Sequence, residues 1–306
     1  MNNIAILIPC YNEELTIAKV INDFKKELPN AKIYVYDNNS SDKTALIAKE
    51  NGAIVRQEFR QGKGNVVKSM FRDIQADIYV MIDGDDTYPA QFVHKIIEPI
   101  IQNQADIVIG DRHSNGTYKN ENKRPLHNFG NNLVKNLINR LFNANLQDIM
   151  SGYRAFNKKF VKNIPIHSKG FEIETEMTLH SLDKNFLIKE ISIEYRDRPK
   201  GSFSKLNTFS DGLRVLKTIL WVFKDYKPLI FFSILSALFF LLSLSFGIPV
   251  LIEFVQNSQI LKIPSAILAV GLMLISILSL FSGFILDTIV KHHRENYELF
   301  LNKFTS

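Results

Sequence analysis

Ile78-Tyr79-Val80-Met81-Ile82-Asp83-Gly84-Asp85-Asp86-Thr87-Tyr88-Pro89 sets an apolar run directly against a turn crowded with carboxylates. A short β-rich run that ends in Asp and Gly reads as a buried strand opening into a loop. Asp83, Asp85 and Asp86 would repel one another there, and a cation relieves that cost. Mg²⁺ or Mn²⁺ suits such a set. Both prefer hard oxygen ligands and commonly take one or two carboxylates, which leaves positions for phosphate oxygens and water. Taken alone, Asp-Gly-Asp is also what a solvated turn or a helix cap contains. An EF-hand loop is excluded, because Lys95 stands near the end where that loop needs a glutamate.

Working outward, Ile4 to Ile8, Ile33 to Tyr36, Ala53 to Gln57 and Asp106 to Gly110 are further β-rich runs. Stretches of helical periodicity separate most of them, among them Glu14 to Leu28 and Lys43 to Asn51. Alternation of this kind predicts an α/β chain with a Rossmann-like, mostly parallel, doubly wound sheet. Ligands in such sheets sit beyond the carboxyl ends of the strands. The loops there are Pro9-Cys10-Tyr11-Asn12-Glu13-Glu14, Asp37-Asn38-Asn39-Ser40-Ser41-Asp42 and the acidic loop from Asp83, and all three are expected to converge at one edge.

The 306 residues are 46% hydrophobic, enough for one such domain and an appendage. Leu229 to Ile252 and Ile263 to Leu286 contain no charged residue. At about 1.5 Å rise per residue, each as a helix exceeds a hydrocarbon core of roughly 30 Å. Lys217, Lys224 and Lys227 precede this hairpin and Lys291 and Arg294 follow it, so both ends are expected on the cytoplasmic side of a plasma (inner) membrane. Phe209, Leu213, Leu216, Leu220 and Phe223 recur at helical spacing, as in an interfacial helix or one packed on the soluble domain. The expected divisions are a catalytic domain over 1–206, a juxtamembrane amphipathic helix over 207–227, two membrane helices over 228–290 and a cytoplasmic tail over 291–306. No cleavable signal peptide is expected at the N-terminus. The single cysteine, Cys10, excludes an intramolecular disulfide framework and a Cys-rich zinc site. A net charge of +6 points to an anionic partner; nucleic acid is set aside because the charge gathers near the hydrophobic runs and no nucleic-acid motif is present.

Pro9-Cys10-Tyr11-Asn12-Glu13, Asp37, Asp83-Gly84-Asp85, Ser151-Gly152-Tyr153-Arg154 and Arg198-Pro199-Lys200-Gly201-Ser202-Phe203-Ser204-Lys205 together resemble glycosyltransferase family 2, in its polyprenyl-phosphate (dolichol-phosphate mannose synthase-like) branch. The resemblance covers roughly Ile4 to Lys205 and extends to the two-helix anchor. It implies a GT-A fold, a nucleotide-sugar donor carrying UDP or GDP, and inverting transfer to polyprenyl phosphate. Pro9, Tyr11, Glu13 and Asp37 would surround the base and ribose, and Asp83 and Asp85 would hold the metal and diphosphate. Close relatives often carry Gln where this chain has Thr87, a weaker metal ligand.

By the same resemblance Arg112, Arg124, Arg198 and Lys205 would bind the acceptor phosphate, and guanidinium groups suit bidentate phosphate contact. An acceptor phosphate is already anionic and needs no general base. A sugar hydroxyl acceptor does need one, and Asp148 is the candidate; its alternative role is to cap the Ser151-Gly152-Tyr153-Arg154 turn or orient Arg154. Glu172, Glu174 and Glu176 fit either a helix start or the acceptor site. Gly62-Lys63-Gly64 lacks the Gly-Lys-Ser/Thr ending of a P-loop and is read as shaping a loop near the donor. The partners admitted are the donor, the acceptor lipid, the bilayer and a second copy of the chain. A membrane scaffold that has kept the fold without activity is the remaining reading, and the intact carboxylates count against it.

Overall fold

The computed structural model describes residues 2–114, 125–170, 172–199, 217 and 220–304. The chain divides into two units, 1–215 and 216–306.

In the first unit, β1 (Ile4–Cys10), β2 (Lys32–Asp37), β3 (Ile54–Gln57) and β4 (Ile78–Met81) pair in parallel. The helices α1 (Ile17–Glu27), α2 (Thr44–Glu50) and α3 (Lys63–Asp73) cross between them. β1 buries Ile6, Leu7 and Ile8 alike, as expected for a strand covered on both faces. α1 turns Ile17, Val20, Ile21 and Phe24 into the core at the spacing of one helical face.

With β5 (Ile107–Asp111), β6 (Arg154–Asn157) and β7 (Ile188–Ser192), the strand order is β3-β2-β1-β4-β6-β5-β7, so the winding reverses between β1 and β4. That switch point is where an open α/β sheet forms its ligand crevice. The expected mostly parallel sheet is present, with one reversal that the sequence did not disclose: β6 (Arg154–Asn157) runs antiparallel to both β4 and β5 (Ile107–Asp111). β7 (Ile188–Ser192) then pairs with β5 in parallel. Since β6 is reversed, its first residue, Arg154, sits opposite Met81 at the carboxyl end of β4. The Ser151-Gly152-Tyr153-Arg154 motif thereby joins the loops that follow the parallel strands.

A 3₁₀ turn (Ala90–Phe92) and α4 (Val93–Ile101) link β4 to β5; α5 (Pro125–Phe142), α6 (Lys158–Asn163) and α7 (Ile173–Asp183) complete the unit. Every residue of α7 from Ile173 to Ser181 is buried, including Glu174 and Glu176, so those two carboxylates need partners inside the protein.

The second unit is a helical hairpin of α8 (Pro228–Asn257) and α9 (Ile263–Phe304). Both helices are long and apolar enough to cross a bilayer. Large apolar side chains such as Leu241, Leu251, Ile267 and Leu278 point outward, while the seam is lined by small residues. The Ser236 and Ser276 hydroxyls lie 3.0 Å apart, and Ser243 donates to the Ala269 carbonyl at 2.7 Å. A Cβ placed on Gly283 would lie 3.0 Å from Phe232 Cβ. Close approach at small residues is how helices associate where no hydrophobic driving force separates them from lipid. α9 continues through Lys291 and Arg294 to Phe304, so the tail boundary expected at 291 is not a helix end. Of the expected juxtamembrane helix, Lys217, Leu220 and 221–226 are helical; Phe209, Leu213, Arg214 and Leu216 lie outside the described residues.

Candidate active site

The three expected loops meet at the carboxyl ends of β1, β2 and β4. Asn12 and Asn39 both take positive φ, 54° and 62°, a conformation that asparagine tolerates better than most residues. The turns they make knit together: Asn12 N–H donates to Ser40 Oγ at 2.9 Å, and Ser41 N–H donates to Asn12 Oδ1 at 2.8 Å. Glu14 accepts from the Lys43 N–H at 3.0 Å. The third loop joins through Thr16 Oγ1, which donates to the Gly84 carbonyl at 2.6 Å, and through Lys19, 2.7 Å from Asp86.

Asp37 closes β2 and is buried. Its Oδ2 accepts from the Ser40 N–H at 3.1 Å, whereas Oδ1 is buried with no hydrogen-bond partner. A buried carboxylate oxygen without a donor is costly. Pro9 lies in β1 opposite Tyr36, and Tyr11 is partly exposed at the rim. Asn38 holds the next loop in place, donating to the Glu58 and Arg60 carbonyls and accepting from the Gly62 N–H at 2.6 Å.

Asp85 is buried, and Thr87 Oγ1 donates to its Oδ1 at 2.7 Å. Its other oxygen lies 2.6 Å from Arg198 Nη2, whose sister nitrogen is 3.7 Å from Glu13. Burial first, and then the charge of Asp83, pushes the Asp85 carboxyl above the usual aspartate range. Asp83 is ion-paired with Lys63, which also lies 2.6 Å from Glu174. Gly152 allows this packing, since a Cβ there would stand 2.5 Å from Asp83 Oδ2.

Lys63 is the site residue that reading the sequence underweighted. Gly62-Lys63-Gly64 was expected only to shape a loop, whereas the Lys63 side chain itself reaches Asp83. The glycines flank the lysine because a Cβ on either would strike the carbonyls of Ser168 and Lys169, and Gly62 takes φ +123°. Gly64 N–H donates to the Lys169 carbonyl at 3.1 Å. Glu176 fixes that loop by accepting from the His167 and Ser168 N–H groups at 2.9 and 2.8 Å. Of the three glutamates whose role was open, Glu174 thus faces the site and Glu176 braces a loop; Glu172 precedes the helix as its N-cap.

Arg112 follows β5 and is gripped by Asp148 through Nε at 2.6 Å and Nη2 at 2.9 Å, while its backbone N–H adds a third bond at 3.2 Å. Its guanidinium lies over the Tyr195 ring, 5.6 Å from the centroid. Asp148 is fully buried, and despite that burial Arg112 holds its carboxyl down to about 2. In its structural role Asp148 was expected to cap the Ser151-Gly152-Tyr153-Arg154 turn or to orient Arg154. That side chain instead bonds the Ser151 and Ile149 carbonyls and Thr178, and Asp148 serves Arg112 and the Met150 N–H. Both oxygens being so engaged, Asp148 is a weaker proton acceptor than an ordinary carboxylate. Arg124 and Lys205 lie outside the described residues.

Among the described residues, no three His, Cys, Asp or Glu side chains are grouped to hold an ion by themselves. Asp83 and Asp85 nonetheless fit Mg²⁺ or Mn²⁺. Their mutual repulsion is what an ion relieves, and ions of this kind complete their shell with phosphate oxygens and water.

A sequence model of glycosyl transferase family 2 matches residues 5–164. The chain belongs to glycosyl transferase family 2. Among its relatives, glycosyltransferase AglJ of Haloferax volcanii is 31% identical over 298 residues, spanning 95% of each chain. A dolichyl-phosphate hexose transferase of the same organism is 28% identical over 221 residues, covering 72% of this chain and 94% of that one. The glucosyl-3-phosphoglycerate synthase of Mycobacterium tuberculosis, solved with Mn²⁺, UDP and glucosyl-3-phosphoglycerate, superimposes with a TM-score of 0.57 at 20% identity, over 73% of this chain and 79% of that one. The expected GT-A architecture is the one found.

Proposed function

We propose that this protein transfers a sugar from a nucleotide-diphosphate donor to polyprenyl phosphate, with inversion, at the cytoplasmic face of a membrane that the α8–α9 hairpin spans. The observation that carries the reading is the pair Asp83 and Asp85 at the β1/β4 switch point, each matched to a cation, Lys63 and Arg198. Relatives named for dolichyl-phosphate hexose transfer support the acceptor, and a structural neighbour that binds UDP and Mn²⁺ supports the donor class and the ion.

In this reading Asp37, at the end of β2, stands beside the nucleoside, with Pro9, Tyr11 and Glu13 lining the same crevice. Asp83 and Asp85 would hold Mg²⁺ or Mn²⁺, which would supply positive charge to offset that of the diphosphate leaving group. Thr87 keeps the Asp85 carboxylate oriented. Arg198 and Arg112, with Arg124 and Lys205, offset the acceptor phosphate. That acceptor is a nucleophile without losing a proton, so the protein's work is positioning and charge complementarity. The grip of Arg112 on Asp148 favours phosphate over hydroxyl as the acceptor, because it leaves Asp148 orienting a cation rather than awaiting a proton.

The test incubates the purified full-length protein with polyprenyl phosphate and a panel of UDP- and GDP-sugars, with and without chelator, and analyses the lipid extract by mass spectrometry. A polyprenyl-phosphate-linked monosaccharide that disappears with chelator is expected. Transfer only to sugar hydroxyls, or none from any donor, would overturn the reading.

A further inference from the structure

The Lys63 ammonium lies between two carboxylates from different parts of the fold, Asp83 at the end of β4 and Glu174 in the first turn of α7. The Lys63 and Glu174 side chains are 10% and 5% exposed, so little water shares the contact and the charges are weakly screened. The Lys63 backbone has little freedom to retreat. Gly62 and Gly64 are packed against the Ser168 and Lys169 carbonyls, and Glu176 pins that loop to the same helix that carries Glu174. Lys63 is thereby held against both carboxylates at once.

On the proposed reading Asp83 also binds the divalent ion, so one carboxylate faces two cations. We propose that Lys63 is an internal competitor for the ion at Asp83 and that Glu174 is the positioning residue that draws Lys63 aside to admit it. Glu174 acts only through Lys63 and contacts neither ion nor donor. Three charges make this arrangement directional. Without Glu174, the whole pull on the ammonium comes from Asp83, and the ion meets a stronger rival. Without the ammonium, Asp83 loses its nearest cation and meets the ion with no rival.

Arg198 has the same form, held 2.6 Å from Asp85 with Glu13 as a second carboxylate at 3.7 Å. Its 28% exposure makes it the weaker competitor.

The test is Mn²⁺ binding to the purified full-length protein, followed by the paramagnetic resonance of free Mn²⁺, in wild type, Lys63→Met, Glu174→Gln and the double variant. No donor or acceptor is needed. Lys63→Met is expected to bind Mn²⁺ about tenfold more tightly than wild type and Glu174→Gln about tenfold more weakly, a shift of the size a nearby charge produces at low screening. The double variant should lose the Glu174→Gln penalty, because Glu174 has no role once Lys63 is gone. Circular dichroism and Asp85→Asn, which should bind poorly in every background, establish that the variants are folded and that the ion sits at the described carboxylates. If Lys63→Met binds no tighter than wild type, or the Glu174→Gln penalty persists without Lys63, the competition does not exist. Wild type that binds no Mn²⁺ even with UDP would overturn both this inference and the metal assignment beneath it. Asp85-dependent binding that ignores Lys63 overturns this inference alone.

Discussion

Arg198 Nη2 lies 2.6 Å from Asp85 Oδ2, which joins a residue beyond β7 to the loop after β4. The segment between them is stitched down by the Ile193 N–H to the Asp111 carbonyl and the Arg196 N–H to the Thr87 carbonyl, both at 2.9 Å. Arg198 is thereby delivered to the carboxylates by backbone pairing. Asp85→Asn keeps this shape and removes the charge. Transfer is expected to fall by about 100-fold or more, as when a charge-stabilising group is lost, while membrane insertion is unchanged. Product formation by mass spectrometry and carbonate extraction of membranes check the two halves.

Gly152 bears on Asp83 by space rather than charge. A methyl group in Gly152→Ala would meet Asp83 Oδ2 at 2.5 Å and Cγ at 2.9 Å, and a side-chain carboxylate yields more readily than backbone. The variant should stay folded and lose activity roughly 10- to 100-fold, since a displacement of about 1 Å is enough for that. Gly271→Ala, where a Cβ meets nothing within 4 Å, should be neutral. Initial rates beside melting curves separate the two outcomes.

Asp148 gives a pH signature. Its folded value, about 2, lies below the ordinary 3.8, so the Arg112 pair adds stability that is fully present above the unfolded value and is lost as pH falls through the folded one. The shift corresponds to about 2 kcal/mol. Asp148→Asn should be clearly less stable than wild type at pH 6, and the gap should close between pH 5 and 2. Denaturant titrations in detergent across that range measure it.

That same pair separates the two acceptor chemistries. Asp148→Asn should raise KM for polyprenyl phosphate by loosening Arg112 and leave the pH profile of kcat in place. A general base would instead take the kcat limb with it. Steady-state rates from pH 5 to 8 decide the point.

The hairpin seam can be tested by proximity. With the Ser236 and Ser276 hydroxyls 3.0 Å apart, the pair Ser236→Cys and Ser276→Cys should form a disulfide on mild oxidation. Gly283→Leu should reduce its yield, since Phe232 already leaves no room for a larger side chain. Thiol labelling after oxidation reads the yield.

Much of this was legible because the apolar strands and their polar loops follow one another in chain order. Ile4 to Ile8 and Ile78 to Ile82 announce themselves by composition, and Asp37, Asp83 and Asp85 by where they stop a strand. What escaped was non-local. Arg154-Ala155-Phe156-Asn157 has no alternation to mark it as a strand, and its reversal depends on two neighbours distant in sequence. Lys63 looked like loop chemistry because its partners lie 20 residues ahead and on a helix whose burial no local pattern reveals. Asp148 was placed in the right region with the wrong arginine, since the sequence offered Arg154 nearby and hid the fold-back from β5.

Because β5 runs toward the ligand edge and β6 runs away from it, the chain leaves that edge near residue 112 and returns to it near 153. In sheet terms the intervening length is an excursion with both ends at one address. A change in its length need re-register no strand, because both of its ends return to the same edge of the sheet. On the reading proposed above, variation confined to that stretch would fall on the acceptor side, where Arg112 and Asp148 stand.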